Sequence, residues 1–328
     1  MKGVFYMLAL WITLGSAAFL ALASLITAYV CFRLTFYSSP QTRFRDKEEI
    51  QLPEGKIYEE FRDNIVSWIK ASRELPHENI CIKSPDGLRL YGRYYEYEKG
   101  APIELLLHGY RGTAERDLSG GIARCFALGR NALIADHRAS GECDGKVITF
   151  GVKESDDCLA WVNYIIENID KDAKIIITGV SMGAATVMIT AAREELPENV
   201  IGVLADCGYT SAKAIIKKVI SDMKLPADVL YPFVKLGARI FGGFDPDSAS
   251  PVEAMKKSRV PVIFIHGDTD GFVPYEMSVE NYEACTAKKM LVTIEGAGHG
   301  LCFPKDQEKY IRVLHEFFDP ILEERGVK

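Results

Sequence analysis

The sequence predicts an α/β protein in which helices cover both faces of a mostly parallel β-sheet. From residue 103 onward, short apolar segments rich in Val, Ile and Leu alternate with longer amphipathic segments, as successive strands and helices do. A hairpin pattern before them predicts antiparallel strands at one edge of the sheet. An uncharged segment at the N-terminus is long enough for a membrane-spanning helix.

The N-terminal segment carries no charged residue from Gly3 to Phe32. As a helix it would be about 45 Å long, whereas a hydrocarbon core of about 30 Å suffices for a span. Trp11 and Tyr29 lie towards its two ends, where interfacial aromatic residues are common. We therefore predict a single-pass N-terminal transmembrane anchor over residues 1–33, which makes the membrane a partner of this chain.

Two questions about the anchor stay open at this stage. A cleaved signal peptide is the alternative, with small residues at Gly15-Ser16-Ala17-Ala18, although its apolar region would span only about 7–15 residues. The side of the membrane on which the main domain lies is predicted from the basic residues that follow the span. These residues favour the cytoplasmic side: Arg33, Arg43, Arg45 and Lys47. Eight cysteines without a C-x-x-C pair also fit reduced thiols. A lone Lys2 before the span is equally typical of outward-facing signal anchors.

Residues 34–78 are predicted to form a polar linker that contains one amphipathic helix. Apolar residues recur in this segment at helical spacing: Ile57, Phe61, Ile65, Trp68 and Ile69. Because such a linker would separate the apolar span from the first strand, a chain that begins near Phe44 is expected to be soluble and active.

The elements of the main domain, residues 79–320, follow in order. Strands are predicted at Asn79–Lys83, Leu88–Tyr97, Ile103–Leu107, Ala132–Ala135, Lys174–Thr178, Val200–Ala205, Val260–Ile265 and Met290–Ile294. Helices are predicted near Glu115–Leu128, Glu154–Asn168, from Met182, Tyr275–Cys285 and Asp306–Phe318. The turn Ser84-Pro85-Asp86-Gly87 joins the first two strands. Residues 208–250 interrupt the alternation and are predicted to insert two helices, Ser211–Met223 and Ala227–Phe241.

The segment Gly179-Val180-Ser181-Met182-Gly183 directly follows the apolar strand Ile175-Ile176-Ile177 and precedes an Ala-rich helix. A strand, a sharp turn and a helix in this order hold the serine in a strained conformation, with its hydroxyl exposed above the sheet. The glycines leave room for the close approach of neighbouring backbone. The N-terminus of the helix directs unpaired N–H groups towards the same place.

Charged and imidazole groups follow the ends of other strands, at the sheet edge where sites of such folds lie. Asp270 follows Ile265, and His299 follows Ile294. A serine hydroxyl needs a base to take its proton, a histidine can serve as that base, and a carboxylate fixes the histidine tautomer. Asp268 competes with Asp270 as the acid, and Asp206 is a third candidate. His108 and His266 are interpreted as residues that orient loops.

These motifs, with His266-Gly267-Asp268-Thr269-Asp270-Gly271-Phe272-Val273-Pro274, Gly298-His299-Gly300 and His108-Gly109, resemble the α/β-hydrolases. The resemblance covers residues 79–320 and is greatest to membrane-anchored bacterial hydrolases of the BEM46-like and serine-aminopeptidase-like groups. It implies Ser181 as nucleophile, Asp270 as acid, His299 as base, and an oxyanion hole from the N–H groups of Tyr110 and Met182. It also implies that residues 208–250 form a small helical cap that shapes an acyl pocket; two helices that pack on the sheet are the alternative, and both can hold together.

The chain departs from the family pattern at two places. Ala184-Ala185 follows the serine turn where many relatives have glycine, and Asp136-His137-Arg138-Ala139-Ser140-Gly141 replaces a common Asp-x-Arg-Gly-His-Gly loop. The second change leaves the three catalytic candidates in place but alters the expected shape of that loop.

The resemblance implies a serine hydrolase that cleaves a carboxylic ester, or a thioester, through an acyl-enzyme, with a small acyl compound as substrate. A peptidase or amidase with the same three residues is the alternative. A non-catalytic membrane-bound binding protein and a perhydrolase-like enzyme are further hypotheses. A net charge of −6 argues against a nucleic-acid partner. No metal and no cofactor are predicted, because no metal-ligand spacing and no phosphate-binding glycine loop is found.

Overall fold

The computed structural model describes residues 2–39, 49–53 and 55–326. Its sheet has eight strands in the order β1-β2-β4-β3-β5-β6-β7-β8. Antiparallel pairing joins β1 to β2 and β2 to β4, and all other neighbours are parallel. The strands are β1 Glu78–Lys83, β2 Arg89–Tyr95, β3 Ile103–Leu107, β4 Asn131–Ala135, β5 Ile175–Val180, β6 Val200–Asp206, β7 Val262–Gly267 and β8 Lys289–Ile294. The predicted mixed sheet with antiparallel N-terminal strands is confirmed.

The helices follow the predicted order with small changes at their ends. They are α1 Lys2–Thr35, α2 Arg62–Glu74, α3 Ala114–Ala127, α4 Glu154–Tyr164, α5 Met182–Thr190, α6 Ala212–Asp222, α7 Ala227–Gly237, α8 Pro251–Met255, α9 Tyr275–Ala284, α10 Cys302–Lys305 and α11 Gln307–Glu324. Short π-helical turns extend α4 and α7 at Ile165–Ile169 and Ala238–Gly242, and a 3₁₀ turn at Lys56–Phe61 precedes α2. Helix α11 continues beyond the predicted end because Ile321 and Leu322 are buried.

Helices cover both faces of the sheet, and successive strand residues point to opposite faces. Ile175 and Ile177 pack on the face covered by α4, α5 and α9. Ile176 points to the other face and packs with α10 and α11. Helix α3 lies on that second face, against Leu106 and Ile134. Because both faces are covered, the parallel strands are mainly apolar, which explains why their sequences lack an alternating pattern.

The predicted linker is packed on the sheet domain over its second half. Helix α2 buries Ile65 and Ile69 together with Phe61 from the preceding turn. Ser72 on its last turn hydrogen-bonds Ser119 on α3 at 3.1 Å, and Arg73 pairs with Glu115 at 2.8 Å. The amphipathic pattern therefore marks a helix that belongs to the domain, because its apolar face is buried rather than free.

Helix α1 has an exposed part and a packed part. All side chains from Val4 to Ala23 are exposed, and partial burial begins at Ser24. The helix is long and apolar enough to span a membrane, a property that a signal sequence would share. Arg43, Arg45 and Lys47, on which the predicted sidedness depends, lie outside the described residues.

The end of α1 and the residues after it pack on the domain. Phe32 and Phe36 are buried, and the Phe36 ring lies 5.1 Å from Phe244 and 5.6 Å from Phe150, between ring centroids. The backbone continues this contact, since the N–H of Ile148 donates to the Phe36 carbonyl at 2.9 Å. The chain from Ser24 to residue 38 is therefore part of the folded domain, and no free linker begins at residue 34.

A truncated chain tests this packing. We expect a chain that begins at Ser24 to unfold at the same temperature as the full chain. A chain that begins at residue 44 should unfold at a clearly lower temperature and lose activity, because deleting a buried Phe such as Phe36 typically costs about 3–5 kcal/mol. Thermal unfolding and fluorophosphonate labelling of both chains measure this. Equal stability of the two would show that the packed end of α1 contributes nothing.

Candidate active site

Ser181 occupies the turn between β5 and α5, with φ of 58° and ψ of −113°. A residue other than glycine rarely adopts a positive φ, so this conformation is strained. Close approaches explain the flanking glycines: a Cβ on Gly179 would lie 2.0 Å from the carbonyl carbon of Gly183, and one on Gly183 would lie 2.1 Å from the Leu107 carbonyl oxygen. The surrounding backbone therefore fixes the turn and the direction of the Ser181 hydroxyl.

The structure brings Ser181, His299 and Asp270 together. Nε2 of His299 lies 2.9 Å from Oγ of Ser181, and Nδ1 of His299 lies 2.7 Å from Oδ2 of Asp270. Asp268 lies elsewhere, where its Oδ1 accepts the N–H of Gly296 at 2.7 Å. Asp206 accepts the hydroxyl of Tyr310 at 2.9 Å, in a buried position. Of the three candidate acids, Asp270 is therefore the one that contacts the imidazole.

Asp270 has a complete set of hydrogen-bond donors. Its Oδ1 accepts the N–H groups of Phe272 and Val273 at 2.8 and 2.9 Å. Its Oδ2 lies 3.1 Å from Nε2 of His266, in addition to its contact with His299. Burial by itself would raise the pKa of Asp270, but the hydrogen bonds from His266 and His299 outweigh it and hold the pKa well below its usual range. The carboxylate therefore stays ionised at any pH at which the protein works.

His266 supports Asp270 from the side away from Ser181. It is fully buried, and its Nδ1 lies 2.7 Å from the Ser278 hydroxyl. Its Nε2 is also 3.0 Å from the carbonyl of Val273, an acceptor, so Nε2 carries the proton and donates to Asp270. His266 was predicted to orient a loop. Its hydrogen bond to Asp270, the candidate acid, was not predicted from the sequence.

The loop after β3 lies opposite the serine turn. Nδ1 of His108 lies 2.7 Å from the Gly109 carbonyl, and Nε2 accepts the N–H of His137 at 3.0 Å. Burial, with the nearby His137 next, lowers the pKa of His108 well below its usual value, so the ring is neutral and fixes this loop. Within the described residues, no acceptor takes the N–H of Tyr110 or of Met182. Both groups remain candidates for the predicted oxyanion hole.

The end of α1 contacts the same loop. The hydroxyl of Tyr110 donates to the carbonyl of Thr35 at 2.7 Å. Nη2 of Arg111 donates to the carbonyls of Leu34 and Tyr37 at 2.9 and 3.2 Å. Carbonyls of a last helical turn lack intrahelical partners, and these side chains supply them. Helix α1 thus ends against the loop that carries one of the predicted oxyanion donors.

A cavity of about 530 Å³ reaches Ser181 and His299. Its walls come from the 3₁₀ turn and α2, from α3, and from the loop after His299; apolar examples are Ile57, Ile65, Trp68, Leu118 and Phe303. None of its described lining residues belongs to 208–250. The expectation that the helical insertion shapes this pocket is therefore corrected: α7 packs on α1, and the predicted linker forms the wall instead.

Two aromatic residues at the mouth of the cavity were not predicted. The Tyr58 hydroxyl donates to the carbonyl of His299 at 3.2 Å, and burial raises the pKa of Tyr58 to about 12. The Phe272 ring lies 5.0 Å from the His299 ring, between centroids. Phe272 lies within the motif that contains Asp270 and was within reach of sequence reasoning. Tyr58 gave no signal, because it lies far away in sequence.

Cys207 also lies beside the three residues. Its sulfur and one ligand atom each of Asp270 and His299 lie within 4.8 Å of one another. Burial, and then the charges of Asp206 and Asp270, raise the pKa of the Cys207 thiol well above its usual value. Because metal ligation requires a thiolate, these three residues are poorly suited to hold a metal. Asp270 and His299 are also already hydrogen-bonded to each other.

Known proteins share the fold on which this site is built. No protein-family model matches the chain. Among solved structures, an esterase of Pyrococcus furiosus, Pf2001, superimposes with a TM-score of 0.62 and 23% identity over 76% of this chain and 93% of that one. The fold is that of the α/β-hydrolases. An acylaminoacyl peptidase of Pyrococcus horikoshii has the same α/β-hydrolase fold, with a TM-score of 0.56 and 17% identity over 76% of this chain and 43% of that one.

Curated relatives point in the same direction. The uncharacterised protein YqkD of Bacillus subtilis is 28% identical over 92% of this chain and 96% of its own length. Protein bem46 of Schizosaccharomyces pombe is 26% identical over 74% of this chain and 77% of its own. The resemblance to BEM46-like α/β-hydrolases is thereby confirmed. The structural neighbours of this chain include both esterases and a peptidase.

Proposed function

We propose that this α/β-hydrolase cleaves a carboxylic ester, or a thioester, through an acyl-enzyme formed on Ser181. The observation that carries the proposal is the continuous hydrogen-bonded chain from Ser181 through His299 to Asp270. It is set in a strained turn whose two glycines could not carry a side chain. Strain that the surrounding backbone enforces is typical of functional positions.

The reaction proceeds in two halves. Nε2 of His299 takes the proton of the Ser181 hydroxyl as Oγ attacks the substrate carbonyl carbon. The N–H groups of Tyr110 and Met182 stabilise the negative oxygen that forms. His299 then gives its proton to the leaving alcohol or thiol as the carbonyl–heteroatom bond breaks, which leaves an ester on Ser181. In the second half, His299 activates water, and the acid is released with Ser181 restored.

Asp270 acts on this chemistry through His299. An ionised Oδ2 at 2.7 Å from Nδ1 requires a proton on Nδ1, so Nε2 is left unprotonated and able to act as the base. The same carboxylate stabilises the imidazolium that forms during attack. Because His266 and two backbone N–H groups hold the carboxylate, it cannot rotate away from His299.

The acyl group fits the cavity beside Ser181. Its walls are mainly apolar side chains, which suits a hydrocarbon acyl group better than a charged peptide segment. The peptidase neighbour matches this chain over less than half of its own length, so its substrate preference does not carry over. We therefore favour ester substrates over peptides.

A series of p-nitrophenyl esters measures the acyl preference. We expect kcat/KM to rise about fourfold for each added methylene until the cavity is filled, since burying one CH₂ contributes about 0.8 kcal/mol. Ile65→Trp narrows the cavity and should reduce turnover of the longest good substrate about 15-fold, the loss of about two buried methylenes. Acetate turnover should stay within a factor of about two.

Lys70→Trp is the matched control, because Lys70 lies on the exposed face of the same helix. It should leave the whole series unchanged. A chain-length profile that is flat in the unsubstituted enzyme would contradict the assignment of this cavity to the acyl group, and cleavage of peptide amides at a comparable rate would favour the peptidase alternative.

The pH dependence separates His299 from Asp270. Activity should fall on acidification, because an imidazolium cannot accept the Ser181 proton. The lowered pKa of Asp270 places its protonation below the measured range of pH, so the acid limb should contain one ionisation only. The measurement is kcat/KM of a chromogenic ester from pH 5 to 9. Two ionisations in the acid limb would show that Asp270 titrates with His299.

A further inference from the structure

Helix α7 lies alongside the packed part of α1 and runs in the same direction. A Cβ on Gly237 would lie 2.3 Å from the Ala28 carbonyl oxygen, so the two helices touch at this point. Beyond this contact, the Phe241 ring in the turn after α7 lies 5.1 Å from Tyr29, and the Phe244 ring, past that turn, lies 5.1 Å from Phe36, which follows α1, between centroids. Later residues of the α7 segment contact later residues of the α1 segment, so the two segments run in parallel. The part of α7 before Gly237 therefore extends towards the exposed part of α1.

The exposed part of α1 has the length of a membrane span. From Val4 to Ala23 it comprises 20 exposed residues, which measure about 30 Å as a helix and match the thickness of a hydrocarbon core. Partial burial starts at Ser24, on the stretch that packs beside α7. If the span is embedded, the boundary of the bilayer lies close to Ser24.

The beginning of α7 reaches past that boundary. From Gly237 back to Ala227, α7 is about 15 Å long, whereas α1 measures only about 6 Å from Ala28 back to Ser24. The α6–α7 turn, residues 223–226, therefore lies up to about 9 Å beyond the level of Ser24, on the side of the span. Interfacial helices bury their apolar faces about 5–10 Å deep.

Exposed apolar side chains lie at this end, beside the exposed charged residues Asp222, Lys224 and Asp228. Met223 is 62% exposed, Leu225 44% and Val229 60%. Val229, Leu236 and Ile240 continue as an exposed stripe at helical spacing along α7 and the turn after it. Exposed apolar side chains in such a group mark a contact surface, and this one is continuous with α1 through the Tyr29–Phe241 ring contact.

We propose that the α6–α7 turn and the outer stripe of α7 insert into the near leaflet, on the domain side of the bilayer that α1 spans. The inference rests on the predicted anchor and is independent of the catalytic chemistry. The lipid bilayer is the partner of this apolar surface, because the surface lies beside the membrane span and at the same depth. The helical insertion then orients the domain on the membrane. Thr35, whose carbonyl accepts the hydroxyl of Tyr110, lies about 16 Å from the boundary at Ser24.

Fluorescent labels in the full chain test the proposal. Cys31 and Cys81 are the two cysteines that are not buried, so both are replaced by serine, and single cysteines are introduced as Leu225→Cys, Val229→Cys and Tyr97→Cys. Each variant is labelled with NBD and reconstituted into phosphatidylcholine vesicles containing lipids with a doxyl quencher near the headgroup. Tyr97 is 49% exposed and serves as the control, because it lies in the sheet domain after β2.

The expected result is a blue-shifted emission and at least twofold lipid quenching at 225 and 229, with neither at 97. Water-like emission without quenching at 225 and 229 would overturn the proposal. Blue-shifted emission without lipid quenching would also overturn it, because a second copy or another protein would then cover the surface. If the protein is recovered outside the vesicles and lacks its first residues, both the anchor and the proposal are overturned. Ester hydrolysis by that sample would then show that the catalytic assignment stands.

Discussion

Replacing Ser181 with alanine is expected to lower ester hydrolysis by about 10⁵- to 10⁶-fold, the size of the loss when the serine of such a set is removed. Fluorophosphonate labelling should disappear with it. The reason is chemical: alanine offers no oxygen to attack the carbonyl, and His299 cannot replace it. The rate of p-nitrophenyl ester hydrolysis and the labelled fraction on a gel measure both effects.

The fold of the Ser181→Ala variant should be unchanged, since the turn already accepts a Cβ at a φ of 58°. Its unfolding temperature checks this. Ser155→Ala is the matched control: Ser155 is a buried serine on α4 whose hydroxyl donates to the Val152 carbonyl at 2.9 Å, away from the cavity. That variant should label fully. Persistent labelling of the Ser181 variant would refute the assignment of the nucleophile.

The features that the sequence could predict are those encoded locally. The two glycines around Ser181 are required by backbone contacts of 2.0 and 2.1 Å, so the motif leaves a clear mark in the sequence. Asp270 and His299 each follow a strand of the parallel part of the sheet, and parallel strands bring their carboxyl ends to one edge. For such residues, the order of the elements is enough to predict proximity.

The walls of the cavity could not be predicted in the same way. An amphipathic pattern shows that a helix has a face to bury, but not what that face packs against. Thus α2 was interpreted as part of a linker, although Ile65 and Trp68 line the cavity. The helical insertion was expected there instead, because its apolar residues gave no sign that α1, which precedes it by about 200 residues, was its partner.

The interpretation of α1 was limited for a related reason. Hydropathy identifies the exposed and the packed parts of this helix as one apolar run, because lipid and protein interior select similar side chains. Only the structure separates them at Ser24. The same limit applies to Phe36, which follows the span directly and is fully buried between aromatic residues of the sheet domain.

Asp270→Asn is expected to lower kcat/KM by about 10⁴-fold, as loss of the carboxylate does in serine hydrolases of this type. The oxygen of the new amide can still accept the N–H groups of Phe272 and Val273, as Oδ1 does now. Its NH₂ group then faces His299, where Oδ2 now lies. Nδ1 of His299 must accept that hydrogen bond, so the proton moves to Nε2 and the base is lost.

Asp268→Asn separates this explanation from a general effect of lost charge. Both substitutions remove one negative charge from the same loop, but Asp268 only accepts the N–H of Gly296, which an asparagine oxygen can do equally well. We expect less than about a threefold change in kcat/KM, within the range of a retained hydrogen bond. Comparing the two variants at one pH, with equal unfolding temperatures as a check, decides the matter. The reverse ranking would mean that Asp268 supports the imidazole, and that His266 holds Asp270 for the stability of the loop alone.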